Sequence, residues 1–260
     1  MSRTPKRPAA RRTLLLDVGN SRIKWALLQG ERIGRQHAIA VRAHRGATLA
    51  PLLRALPPRL GAIRIVSVAR KEPTRRLTRA LRRASGADVK VLVTTARAAG
   101  VRCGYREPWR LGVDRWAAVV GAYHLDTPAR AQVVVDVGTA LTIDFVSRAG
   151  QHGGGVIVPS PGQMVAGLLR GTHGIRARAA RSRRRGQTLF ARSTHEALLQ
   201  GSRHAAAALI ERACAQAAQR YGSAAVLTLT GGGVAELLPW LTRPYRVVPD
   251  LVLRGLARLA

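Results

Sequence analysis

The chain has 260 residues, 47% of them apolar, which is enough to bury a core and excludes an intrinsically disordered polymer. It contains no run of about 18 uninterrupted apolar residues, which excludes a helical membrane span, and its only cysteines, Cys103 and Cys214, are too far apart in sequence for a disulfide framework or a C-x-x-C zinc site and fit a reducing cytoplasm. The net charge is +31, and only four of the 44 basic residues are lysines. The arginines are scattered, apart from Arg176, Arg178, Arg181, Arg183, Arg184 and Arg185, and aromatic residues make up only 4%. That pattern predicts a basic surface that attracts polyanions nonspecifically, without the aromatic–basic interleaving of a single-strand nucleic-acid binder.

In chain order, residues 1–12 read as a disordered basic tail. The apolar stretch that follows, Leu14 to Leu16, is stopped by Asp17 and is too short for a signal-peptide core. Residues 14–28, LLLDVGNSRIKWALL, read as a buried strand, a tight turn and a second strand. After them come an alternating stretch (36–41), a short helical segment (49–56), a strand at 63–68, a helix at 74–84 and a strand at 89–93. Pro108 and Gly112 mark a loop, and Trp116, Val119, Val120 and Tyr123 recur at helical spacing over 113–124.

Residues 133–147, VVVDVGTALTIDFVS, then repeat the opening hairpin: Asp136 matches Asp17, Gly138 matches Gly19 and Thr139 matches Asn20. A strand (154–159), a helix (162–169), a long helix (194–221), a strand (225–230), a helix near 234–240, a strand (245–248) and a last helix follow. Both halves read approximately β-β-β-α-β-α-β-α. The expected architecture is α/β, with two duplicated lobes over 13–125 and 126–260, each a mixed sheet flanked by helices, and a cleft between them.

Two hairpins with the same Asp-Val-Gly-polar turn point to phosphate chemistry. Gly19 removes the Cβ that would keep an anion away, Asn20 and Ser21 add donors, and Lys24 adds positive charge. Asp17 beside such a turn does not meet phosphate directly; it suits a cation that does. Gly231-Gly232-Gly233, between a strand and a helix, either simply turns the chain or is a second place where a nucleotide can approach the backbone. Asp114, in the first turn of the helix from Val113, has two readings. It can cap the helix and complement its dipole, or orient a substrate hydroxyl and accept its proton, with Arg115 beside it for transferring charge. Ser193 and Glu196 form an S-x-x-E capping box before the long helix. Gly201 inside that helix hints at close packing or ligand approach. The seven histidines show no ligand-spaced pair and read as surface or loop residues.

Taken together, DVGNSRIKWAL (17–27), Y-x-x-P-x-x-L-G-x-D-R (105–115), DVGTALTID (136–144), GGVIVPSPGQMVAGLLRGT (154–172), RSTHEALLQG (192–201) and TGGG (230–233) resemble the type III pantothenate kinases. These belong to the acetate-kinase, sugar-kinase, Hsp70 and actin superfamily, with duplicated ribonuclease H-like, actin-like ATPase lobes. The resemblance runs over nearly the whole chain from Leu14. It implies ATP-dependent phosphorylation of pantothenate to 4′-phosphopantothenate, the first step of coenzyme A synthesis. It further implies that Asp17, Val18, Gly19, Asn20, Ser21, Arg22, Ile23, Lys24 and Thr139 contact the ATP phosphates and that Asp114 is the proton acceptor. Tyr105, Gly112, Val113, Asp114, Arg115 and Thr194 would line the pantothenate site. Asp136 would bind a monovalent cation, K⁺ or NH₄⁺, beside the Mg²⁺ that accompanies ATP. A homodimer, with the pantothenate pocket near its interface, follows from the same resemblance. The first loop departs from the family pattern, reading N-S-R where many members have N-T-N, but Ser21 keeps the hydroxyl. Rival readings are another kinase or a polyphosphate-cleaving phosphatase of the same fold, and a nucleic-acid-binding regulator derived from the kinase.

Overall fold

The computed structural model describes residues 12–41, 49–179, 188–222 and 224–260. In chain order its elements are β1 (Arg12–Val18), β2 (Arg22–Gln29), β3 (Arg32–Ile33), β4 (His37–Ala40), α1 (Ala50–Arg54), β5 (Leu60–Ser67), α2 (Lys71–Ser85) and β6 (Asp88–Val91). Next are β7 (Arg97–Ala98), β8 (Val101–Arg102), α3 (Val113–Tyr123), β9 (Gln132–Val137), β10 (Ala140–Val146), β11 (His152–Pro159), α4 (Pro161–Gly171) and α5 (His173–Arg178). The last are α6 (Thr194–Tyr221), β12 (Val226–Thr230), α7 (Val234–Leu237), β13 (Tyr245–Val247) and α8 (Leu251–Leu259). Of the tail expected over 1–12, residues 1–11 lie outside the described residues, and Arg12 opens β1. Arg181, Arg183, Arg184 and Arg185 also lie outside them, while Arg176 and Arg178 end α5.

The duplication is visible in the sheets. One has the order β3-β2-β1-β5-β6, with β4 also pairing β2; the other has the order β11-β10-β9-β12-β13. In the first, β1 pairs antiparallel with β2 and parallel with β5, which pairs parallel with β6; in the second, β9 pairs antiparallel with β10 and parallel with β12, which pairs parallel with β13. The chain forms two compact units, and they interleave. Residues 1–95, 109–121 and 252–260 make the first, and residues 96–108 and 122–251 make the second.

In the first unit β1 lies between β2 and β5, and Leu14, Leu15 and Leu16 are all buried, as a strand covered on both faces requires. Leu77 and Leu81, four apart, place one apolar stripe of the arginine-rich α2 on that sheet beside Leu52 of α1. Gly86, at φ +63°, ends α2 in the left-handed conformation that a Cβ disfavours. In the second unit, Val133, Val135, Leu141, Ile143, Leu227 and Leu229 of the sheet pack on Ala206, Ile210 and Cys214 of α6. Burial pushes the Cys214 thiol up to about 11, so it packs as a small apolar residue rather than a nucleophile. Arg246 of β13 grips Asp126 with two hydrogen bonds (2.9 and 3.0 Å), and Gln132 and Thr228 continue the network. The guanidinium holds the Asp126 carboxyl below the usual carboxylate range.

Candidate functional site

In the first unit, Asp17 ends up near the tip of the β1–β2 hairpin, opposite Lys24 in the antiparallel register, and only 9% exposed. The Gly19 N–H donates to the Arg22 carbonyl (3.0 Å) and closes the turn; the Ser21 carbonyl accepts from Val41 N–H (2.8 Å), tying the turn to the end of β4. Asn20, Ser21 and Arg22 are exposed and Lys24 is half-buried. Val18 and Ile23 are core residues, so a ligand at this turn meets their backbone and not their side chains. The same unit carries the Gly112–Arg115 segment. The Leu111 carbonyl accepts from the buried Thr94 hydroxyl (2.8 Å), which anchors the loop before α3. The Gly112 carbonyl accepts from Trp116 N–H (2.9 Å) and starts the helix. Asp114 Oδ1 accepts from Arg115 N–H (2.7 Å), one of the donors a helix start leaves unsatisfied. It also folds over Gly112, where a Cβ would stand 2.7 Å from Oδ1. Val113 and Arg115 are buried, and Asp114 between them is half-exposed at the head of α3.

In the second unit, Asp136 ends the β9 side of the second hairpin beside Thr230 of β12, its parallel partner. The Gly138 N–H donates to the Ala140 carbonyl (3.0 Å), the same closure as at Gly19, and leaves Thr139 exposed. The glycine cluster lies directly against this turn. Gly231 has φ +100°, and a Cβ there would collide with Asp136 Oδ1 and the Val137 carbonyl. Gly233 N–H donates to that carbonyl at 2.9 Å. The bare glycine therefore leaves a carboxylate oxygen and a carbonyl oxygen beside one another, a donor set that suits a hard cation. Among the described residues, no three His, Cys, Asp or Glu side chains gather as a metal centre. Thr194 is the first residue of α6. Ser193 caps that helix: its hydroxyl accepts from Glu196 N–H (3.3 Å) and donates to Glu196 Oε2 (3.2 Å).

Tyr105 also belongs to the second unit and stacks on His152, with ring centroids 6.0 Å apart and 17° between planes. Here the structure corrects the reading of all seven histidines as surface or loop residues. His152 is fully buried at the start of β11, and its Nε2 lies 3.0 Å from Asp144 Oδ1. The signal available in the sequence was the hairpin register, which brings residue 152 back to the β10 strand that carries Asp144. At Gly201 one of two readings, close packing, fails. A Cβ there would meet nothing within 4 Å among the described residues, so no close packing explains it. Asp17–Lys24 and Gly112–Arg115 thus fall in the first unit, and Tyr105, Asp136, Thr139 and Thr194 in the second.

Comparison with known proteins agrees with this geometry. A solved structure titled as a putative 2-dehydro-3-deoxygalactonokinase from Sinorhizobium meliloti superposes with a TM-score of 0.56 at 17% identity, covering 94% of this chain and 96% of that one. The activator of the 2-hydroxyisocaproyl-CoA dehydratase from Clostridium difficile, with bound ADPNP, gives 0.53 at 10% identity, covering 95% and 92%. Two sheets of one repeated topology, each opening on an Asp-x-Gly hairpin, together with these neighbours, define an α/β protein of the actin-like ATPase and sugar-kinase fold class. Curated relatives named type III pantothenate kinase include those of Stenotrophomonas maltophilia (41% identical; 95% of this chain, 96% of that one) and Chromobacterium violaceum (38%; 95% and 98%). A family model described as type III pantothenate kinase matches residues 13–216. The chain belongs to the type III pantothenate kinase family.

Proposed function

We propose that this chain transfers the γ-phosphoryl group of ATP to the primary hydroxyl of pantothenate, giving ADP and 4′-phosphopantothenate, in the cytoplasm and as a homodimer. The observation that supports it most directly is Asp114. It is a half-exposed carboxylate at the head of α3, in the segment that carries the family resemblance, between buried Val113 and buried Arg115. A carboxylate so placed orients the hydroxyl and takes its proton as the oxygen–phosphorus bond forms. The backbone of 17–24, with Lys24 and the exposed hydroxyls of Ser21 and Thr139, holds the phosphate oxygens. Tyr105, Gly112, Val113, Arg115 and Thr194 hold pantothenate. Asp17 fits the Mg²⁺ that accompanies ATP, which neutralises β- and γ-phosphate charge when bound. Asp136, with the Val137 carbonyl beside Gly231, fits a monovalent cation, K⁺ or NH₄⁺. No helix among the described residues is long and apolar enough to cross a membrane. Nucleic acid meets the arginine-rich surface only nonspecifically, a salt-sensitive attraction.

The test is ATP- and Mg²⁺-dependent phosphorylation of pantothenate in KCl and in NaCl at equal ionic strength. Turnover stimulated by K⁺ is expected. ATP binding with no turnover on pantothenate sinks the substrate reading and calls for a panel of sugars and polyphosphate. Equal rates in both salts remove the cation role from Asp136.

The dimer has its own support. β11 is an edge strand, and Val156 and Ile157 on it are 44% and 60% exposed, with Leu168 of α4 at 45%. An apolar edge left open invites another chain, and a second copy covers it. Sedimentation is expected to give about twice the chain mass of 27.9 kDa. Ile157→Arg is expected to shift the protein to the single-chain mass; a dimer that survives it uses another surface.

A further inference from the structure

Asp144 closes the DVGTALTID motif, yet none of the roles above uses it. On β10, Leu141, Ile143 and Phe145 join the core under α6, so the strand's alternation sends Asp144 to the opposite face. There it is 2% exposed and faces the fully buried His152 at 3.0 Å. The other side of the imidazole is occupied as well: Gly104 N–H donates to His152 Nδ1 (3.3 Å). A nitrogen that accepts a backbone N–H carries no proton, so the ring proton sits on Nε2 and points at the Asp144 carboxylate. The imidazole thus has both nitrogens satisfied and one orientation.

The same ring carries Tyr105, stacked on it at 6.0 Å and 17°. The chain just before Tyr105 is held against the 150–152 turn. Arg102 N–H donates to the Gly150 carbonyl (2.8 Å), Arg102 bridges Gln151 in parallel, and Gln151 Nε2 donates to the His152 carbonyl (3.1 Å). Gly104 runs so close that a Cβ there would collide with the His152 carbonyl.

We infer that His152, oriented by Asp144, is a positioning residue that fixes the Tyr105 ring as a wall of the pantothenate site. The inference rests on the proposed role of Tyr105 in binding pantothenate. Neither His152 nor Asp144 meets a reacting atom. They act through the angle of the tyrosine ring, and their loss is felt in pantothenate binding and not in ATP binding.

The experiment is a double-mutant cycle on the full-length protein, with KM for each substrate and kcat read for His152→Phe, Tyr105→Ala and the double variant. Phenylalanine keeps a ring to stack on and deletes both hydrogen bonds. His152→Phe is expected to raise the pantothenate KM about tenfold, a typical loss when a binding group is misplaced by a fraction of an ångström. The ATP KM should stay within about twofold of wild type, since His152 acts through a tyrosine assigned to pantothenate. In the Tyr105→Ala background the same change should have no further effect, because the ring it positions is gone. Asp144→Asn, which still offers Nε2–H an acceptor, should lie close to wild type, whereas Asp144→Leu should match His152→Phe. Where His152→Phe does not fold, His152→Gln gives the same reading: it keeps a donor toward Asp144 and lacks the ring. Additive effects in the double variant, or both KM values rising together, overturn the positioning role. A pantothenate KM unchanged by Tyr105→Ala alone shows instead that Tyr105 is no pantothenate contact, and the inference falls with that reading.

Discussion

Asp114→Asn is expected to lower kcat by roughly 10²–10⁴-fold, the range associated with losing a general base, while both KM values change by less than about threefold. The substitution separates the bond at the helix start from the proposed role as base. Asp114 Oδ1 accepts from Arg115 N–H at 2.7 Å, and an asparagine carbonyl accepts that bond equally well. What asparagine cannot do is take a proton. The start of α3 is therefore preserved in the variant, and the rate reports the chemistry alone. Asp114→Ala is the complement. It loses the same rate and, in addition, about 1 kcal/mol of stability from the lost N-terminal acceptor. A kcat within threefold of wild type for Asp114→Asn, with a melting temperature lowered only in Asp114→Ala, would make Asp114 a helix-start residue and nothing more.

In the sequence, Asp114 was legible only as a choice between two readings. The hydrogen bond to Arg115 shows that the structural one is present and leaves room for the other. Elements with strong local signals were the most readable. The long helix was expected over 194–221 and is found as Thr194–Tyr221, because Ser193 supplies a cap and Gly222, at φ +64°, supplies a stop. The duplicated hairpins were readable for the same reason: the turn chemistry is local. The two-residue strands β3, β7 and β8 and the one-turn-and-a-half α5 bury too little to leave a periodic trace. A single cut after residue 125 follows the repeat, whereas the compact units place 96–108 and 122–125 in the second and 252–260 in the first. His152 was missed because isolated histidines are read by spacing to other ligands, and its partners, Asp144 and Gly104, are set by strand register and by a loop 48 residues upstream.

The second large effect concerns how α3 is held. Gly255 of α8 is buried, and a Cβ there would fall inside the van der Waals surface of the Ala117 carbonyl and Gly121 N, both backbone atoms of α3. Two opposing terms meet in Gly255→Ala. Alanine is the better helix former by about 1 kcal/mol. Overpacking a well-filled contact costs about 1–3 kcal/mol, and more when the obstacle is backbone rather than the end of a flexible side chain. The second term wins, and the variant should lose stability on the order of 1–2 kcal/mol, with Gly255→Val losing more. For a chain of this size each kcal/mol lowers Tm by about 2–4 °C. Gly201→Ala is the control that isolates the first term. It also lies inside a helix, yet its Cβ would enter open space among the described residues, so it should gain up to about 1 kcal/mol. The two glycines should also differ in catalysis. Ala117 stands less than one helical turn from Asp114, so a Cβ that pushes on it displaces the carboxylate proposed as proton acceptor, and an ångström there is felt as a large loss of rate. Gly255→Ala should therefore lower both Tm and kcat, and Gly201→Ala should raise Tm and leave kcat alone. Thermal denaturation and steady-state kinetics on the pair decide it: a Gly255→Ala protein as stable as wild type would mean that α8 and α3 separate without penalty, and the close approach at Gly255 would not be what seats Asp114.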